Sequence, residues 1–246
     1  MSRMFYLCRS LTNLDISKFN APNLQNMEYM FYYMSGIKSL DLSNLKPNSL
    51  KKMGHVFEDC SLLENINLNN LKTQDVEDMS NLFSDCISLL SIDVSNFETS
   101  NVKNMANMFN GCSKVTSIDV SRFDTKEVTD MSGMFKLCSG IKKLETSRFN
   151  TEKVTNMKSM FENNMQLSDL DISNFRTPKV IDMSNMFKYC GYLTSLDVSK
   201  FETTNVRDMS KMFYGCSMVS KIDVVNFDTS KVTDMNGMFS GCFLFN

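Results

Sequence analysis

The sequence predicts an α/β solenoid: a stack of 26-residue helix–strand turns with one parallel sheet. Three observations carry that prediction. Phenylalanine recurs every 26 residues without insertion, at Phe5, Phe31, Phe57, Phe83, Phe109, Phe135, Phe161, Phe187, Phe213 and Phe239. Eighteen of the 21 methionines occupy two positions of the same period, one ladder running from Met1 to Met235 and the other from Met4 to Met238, with Val56 and Leu82 on two rungs of the second. All eight cysteines share one further position: Cys8, Cys60, Cys86, Cys112, Cys138, Cys190, Cys216 and Cys242. A bias this strong is one short pattern copied many times.

One unit, Val102 to Glu127, shows the elements in order. Val102, Met105, Met108, Phe109 and Cys112 are spaced as one face of a short helix. Thr99, Ser100 and Asn101 precede it and can cap it. Ile118-Asp119-Val120 alternates as a strand does, and Phe123 follows in the return loop. Neither element buries its apolar face alone, so stacking on neighbours makes the core. At a strand spacing of roughly 4.8 Å the body is on the order of 45 Å long. The chain divides as a single solenoid domain over 1–246. Residues 1–23 are a partial repeat, full repeats start at 24, 50, 76, 102, 128, 154, 180 and 206, and 232–246 is a second partial repeat.

Composition limits the partners. Net charge is −2, with no basic bias that would favour nucleic acid. No apolar run of about 18 residues exists, so no membrane insertion is expected. The first residues, Met1 to Cys8, hold no signal peptide.

The shared unit is Val-x-Asp-Met-Ser-x-Met-Phe-x-x-Cys-x-x-Leu-x-x-Leu-Asp-Val-Ser-x-Phe-x-Thr, nearly intact from Val180 to Thr203. It resembles the 26-residue repeat of bacterial surface proteins, a branch of the BspA-like leucine-rich repeat proteins, over essentially the whole chain. The resemblance implies a right-handed leucine-rich solenoid, cell-surface or extracellular display, and adhesion or protein binding without catalytic residues. An export signal and an anchor, which the family carries, are not seen in these residues, and an intracellular place stays open.

Each prominent residue has a structural and a functional reading. Stacked equivalents on an apolar face favour a reduced cysteine ladder over disulfides, and over a metal site still more, since no C-x-x-C pairs occur. His55, the one histidine, sits at a position of varied residues, which reads as solvent; a dyad with Cys60 would need that thiol exposed. Asp15, Asp41, Asp93, Asp119, Glu145, Asp171, Asp197 and Asp223 form an outward acidic ladder, broken by Asn67. Hydrogen bonds to nearby Ser and backbone groups explain it better than a cation- or partner-binding stripe does. A threonine ladder from Thr73 to Thr229 reads as loop or cap hydroxyls, with a flat ice-binding array as the minor alternative.

Tyrosine breaks the regularity. Tyr6, Tyr29, Tyr32 and Tyr33 cluster near the start, and Tyr189, Tyr192 and Tyr214 near the end. Exposed aromatic groups are candidate hot spots; packing of the end turns is the competing reading. The candidate partner-binding residues are these seven tyrosines with Asp93, Asp119, Asp171, Asp197 and Asp223. No cofactor and no enzymatic constellation is expected. The partner is an unidentified protein. The alternative is a structural building block that self-associates end to end through uncapped turns such as that of Cys242-Phe243-Leu244-Phe245-Asn246.

Overall fold

The computed structural model describes residues 1–244; Phe245 and Asn246, the tip of the last predicted turn, lie outside the described residues. Every turn sits on the next in a 26-residue register. Among the described residues the strands are four: β1 (Ser39–Asp41), β2 (Asn65–Asn67), β3 (Lys143–Glu145) and β4 (Asp169–Asp171). They pair in parallel as β1–β2 and β3–β4, with Leu40 opposite Ile66 and Leu144 opposite Leu170. The expected single sheet is therefore two short two-stranded sheets. The continuous parallel feature lies elsewhere, in a column of isolated bridges that links Asn26, Lys52, Asp78, Asn104, Asp130, Asn156, Asp182, Asp208 and Asp234.

The expected helix is the main correction. No α-helix occurs among the described residues, and the Met-x-x-Met-Phe-x-x-Cys segment is a run of tight turns. Its amides alternate in role. Those of Met27, Tyr29, Phe31 and Tyr33 cross to the carbonyls of Lys52, Gly54, Val56 and Glu58 in the next turn, at 2.8–3.3 Å. Those of Met30, Tyr32 and Met34 fold back on Met27, Tyr29 and Phe31, three residues earlier. A helix would spend every amide within itself; this backbone spends every second one on its neighbour. Left-handed residues make the alternation feasible. Two residues before each rung Phe, and again two after, φ lies between +53° and +77° in every turn.

Side chains fill the stack in columns. From Phe5 to Phe239 the rung rings lie 5.4–5.9 Å apart at 2–14° to one another. Each interior ring is buried, which stabilises by about 1.5–3 kcal/mol relative to exposure, and the offset stacking adds to that. The two Met ladders pack beside them, as does an aliphatic column that starts at Leu24 and Leu50 and continues through Val76 and Val102 to Val206. Their interior members belong to one hydrophobic cluster that runs from Ile16 to Met238, with Phe5 and Phe239 packed against it and Met1, Met4 and Met235 exposed.

Two polar columns lie inside the body. Cys60, Cys86, Cys112, Cys138, Cys190, Cys216 and Cys242 each donate their thiol to the carbonyl of the Phe one turn back, at 3.0–3.3 Å. All eight cysteines are free, and the six from Cys60 to Cys216 are buried. Thr73, Thr99, Thr125, Thr151 and Thr177 are also buried. Each hydroxyl both donates to a carbonyl and accepts from the amide of the same residue in the next turn, such as Glu98 for Thr73. The threonines are thus a hydrogen-bonded spine, which removes the flat-array reading.

Candidate functional site

Three columns share one face: the residues two before, one after and two after the rung Phe. The outer two are the left-handed columns. In the early turns this face is aromatic. Tyr6 and Tyr32 stack at 5.1 Å and 12°, and Tyr29 meets Tyr6 and Tyr32 edge-on at 6.4 and 5.6 Å. Tyr29 also stacks on His55 at 4.5 Å, and Tyr33 leans on Tyr32 at 6.0 Å. Cations sit over the rings: Arg3 lies 5.8 and 5.3 Å from the Tyr6 and Tyr29 centroids, and Arg9 lies 4.2 Å from that of Tyr33.

His55 is half-buried between the Tyr29 ring and the Glu58 carboxylate, to which its Nδ1 is hydrogen-bonded. The variety at its position (Asn81, Asn107, Gly133, Lys211) reflects the left-handed backbone as much as solvent. Cys60 bonds to Phe31, so no dyad with His55 forms. Burial and then the Glu58 carboxylate push the Tyr29 and Tyr32 hydroxyls above their ordinary pKa. Burial, with Asp85 and Glu58 beside it, likewise raises the carboxyl of Asp59.

In the late turns the same columns hold Tyr189 and Tyr214, edge-on at 5.2 Å, with the Lys188 ammonium 5.5 Å from the Tyr189 centroid. Tyr192 belongs to a different column and stands 59% exposed outside that pair. Between the two aromatic ends lies an ionic step. Glu162 is buried and is held by Lys136 at 3.1 Å and Lys188 at 2.9 Å. Burial alone would raise its pKa, but the bonds from Lys188, Ser159 and Lys136 outweigh it and the carboxyl titrates below its ordinary value. Sequence reading missed this triad; its signal was the alternation Lys136, Glu162, Lys188 at one repeat position.

The acidic ladder has a local task. One oxygen of Asp93, Asp119, Asp171 and Asp197 accepts the backbone N–H of the serine two residues on, at 2.9–3.0 Å, and Asp223 accepts from Val225 at 3.1 Å. Bonds from the serine hydroxyl and amide hold Asp93, Asp119, Asp171 and Asp197 below the usual carboxylate range. Among the described residues no group of three or more His, Cys, Asp or Glu could hold a metal ion. No helix among them is long and apolar enough to cross a membrane.

A solved leucine-rich repeat protein from Bacteroides ovatus is similar at 15% identity, over 95% of this chain and 75% of that one, with a TM-score of 0.37. No curated protein matches the chain. The model of the family described as "Mycoplasma protein of unknown function, DUF285" matches residues 1–88, 51–169 and 138–246, which together span the chain. That match agrees with the bacterial 26-residue repeat resemblance carried by the Met-Phe-Cys motif. The chain belongs to the DUF285 family.

Proposed function

We propose that the chain is a non-catalytic, surface-associated scaffold for protein binding or adhesion, acting as one solenoid unit. Its partner docks on the face that carries Tyr6, Tyr29, Tyr32 and Tyr33 at one end and Tyr189 and Tyr214 at the other. The carrying observation is the continuous array of Arg3, Tyr6, Tyr29, Tyr32 and His55, exposed at Tyr6 and half-buried at the other rings, because aromatic rings held rigid by mutual stacking lose little entropy on binding. Tyr192 lies in a separate column, and Asp93, Asp119, Asp171, Asp197 and Asp223 each hold their own turn through a backbone N–H two residues on.

The test is selection of binders from a displayed peptide or domain library on the immobilised chain, followed by Tyr29→Ser with Tyr32→Ser. Binders that lose at least about tenfold in affinity on this variant, but not on Tyr192→Ser, support the face. Binders that ignore it overturn the assignment.

A further inference from the structure

On another flank, two columns run side by side, one just before and one just after the aliphatic column of Val76, Val102, Val128, Val154, Val180 and Val206. In the middle turns their charges cancel across one turn: Lys103 pairs with Glu77 at 2.7 Å and Lys153 with Glu127 at 2.6 Å. From Lys179 onward the acids leave both columns. What remains is Lys179, Asn205 and Lys231 in one and Ile181, Arg207 and Thr233 in the other. Lys179, Arg207, Lys231, Ile181 and Asn205 line a hollow of about 330 Å³.

None of the three cations is in an ion pair among the described residues. The acids around them are engaged elsewhere. Asp228, the carboxylate that feels Lys231, accepts the Ser230 N–H at 2.9 Å. Glu202 is 3.8 Å from Arg176. Asp182, Asp208 and Asp234 accept from Ser184, Ser210 and Asn236, each at 2.8 Å. Lys231 is steered by Asn205 Oδ1 at 2.8 Å. Three cations on three successive turns, without ion pairs among the described residues, keep N–H donors open to a bound carboxylate, while the charges of Asp182, Asp208 and Asp234 remain beside them.

Ile181 narrows the choice of anion. It stands 46% exposed at the position where Arg207 follows in the next turn, so an apolar surface lies among the charges. A sulfated sugar or a bare phosphate has no side chain to place there; a peptide does. We propose that this hollow docks an acidic peptide segment in which carboxylates flank an apolar side chain. The surface is separate from the tyrosine face, and the inference stands whether or not that face binds.

The test is fluorescence anisotropy of a labelled Glu-Asp-Leu-Asp-Glu peptide titrated with the whole chain. Binding is expected, weakened at least about tenfold by Lys179→Glu, Arg207→Glu and Lys231→Glu together, and unchanged by Lys114→Glu on another surface. Replacing the peptide's Leu by Ser is expected to weaken it as well. All three substituted side chains are on the surface, and a thermal melt of each variant confirms that the stack persists. Absence of binding, or binding indifferent to the three reversals, overturns the proposal. A Ser peptide that binds equally well and is displaced by heparin overturns the peptide assignment in favour of a sulfated polymer.

Discussion

The thiol of Cys190 donates to the carbonyl of Phe161, 3.0 Å away and one turn back. The same carbonyl takes a second bond, from the Asn164 amide at 3.0 Å, because Asn164 stands where the cysteine column is broken. Asn164 also reaches Phe135 at 2.8 Å, but its own carbonyl oxygen is buried without a partner.

That orphan oxygen makes Asn164→Cys a stabilising change. The thiol restores the bond to Phe135 and removes a buried acceptor that costs about 1–3 kcal/mol. A rise in the urea midpoint is expected at unchanged m-value; a fall would mean that the amide's two bonds outweigh its desolvation.

Thr125→Val keeps the shape of the spine and deletes both of its bonds to Asn150. An unpaired buried amide and carbonyl follow, with an expected loss of about 1–3 kcal/mol in denaturant unfolding. Thr229→Val, on an exposed rung, is the matched comparison and should lose less than about 0.5 kcal/mol.

Gly111 has φ +73°, and a Cβ there would meet Asp85 Oδ1 at 2.5 Å and the Asp85 backbone nitrogen at 3.3 Å. Gly111→Ala is therefore expected to destabilise by about 1–2 kcal/mol, from the left-handed backbone and from the shift forced on the turn below. Leu137→Gly, at the equivalent position one turn on, relieves the same backbone strain (φ +57°) but gives up the buried part of a side chain that is 40% exposed, and should be close to neutral. Thermal melts of both variants decide it.

Burial pushes the thiols of Cys60, Cys138 and Cys190 up to about 12. In the unfolded chain they ionise near the ordinary value of 9.0, so above that pH the unfolded state binds fewer protons than the folded one. Stability is fully present below the unfolded value and falls as pH rises from there towards 12. Iodoacetamide at mildly alkaline pH should leave the six buried cysteines unmodified until denaturant is added. Rapid labelling of Cys112 in the native chain would contradict the burial that protects it.

The columns were legible in the sequence and the backbone less so. Identical spacing of Phe, Met and Cys can arise only if equivalent residues stack, and each of those ladders lies where the spacing put it. Apolar steps of three, three, one and three suit a helical face as well as they suit these turns, so spacing alone could not exclude the helix. The contrary signal was the Asn81, Asn107, Gly133 and Asp59, Asp85, Gly111 pattern, residues that tolerate the left-handed backbone, spaced four apart around Phe83 and Phe109. The tyrosines share one face except Tyr192, since closeness in sequence does not decide the column. The threonine spine was hidden because a hydroxyl that bridges two turns looks the same in sequence as one that caps a loop.

Within the Met-Phe-Cys segments, every crossing amide from Met27 to Gly215 gives to the turn that follows it and none to the turn before. Each turn therefore offers its predecessor the same carbonyls that it seeks in its successor. A gene that duplicates or drops 26 codons changes the extent of the stack without touching the grammar of any joint. Length can therefore vary in steps of one turn with no joint redesigned, and irregular rungs such as Met34 and Asn164 are what distinguish one position along the stack from another.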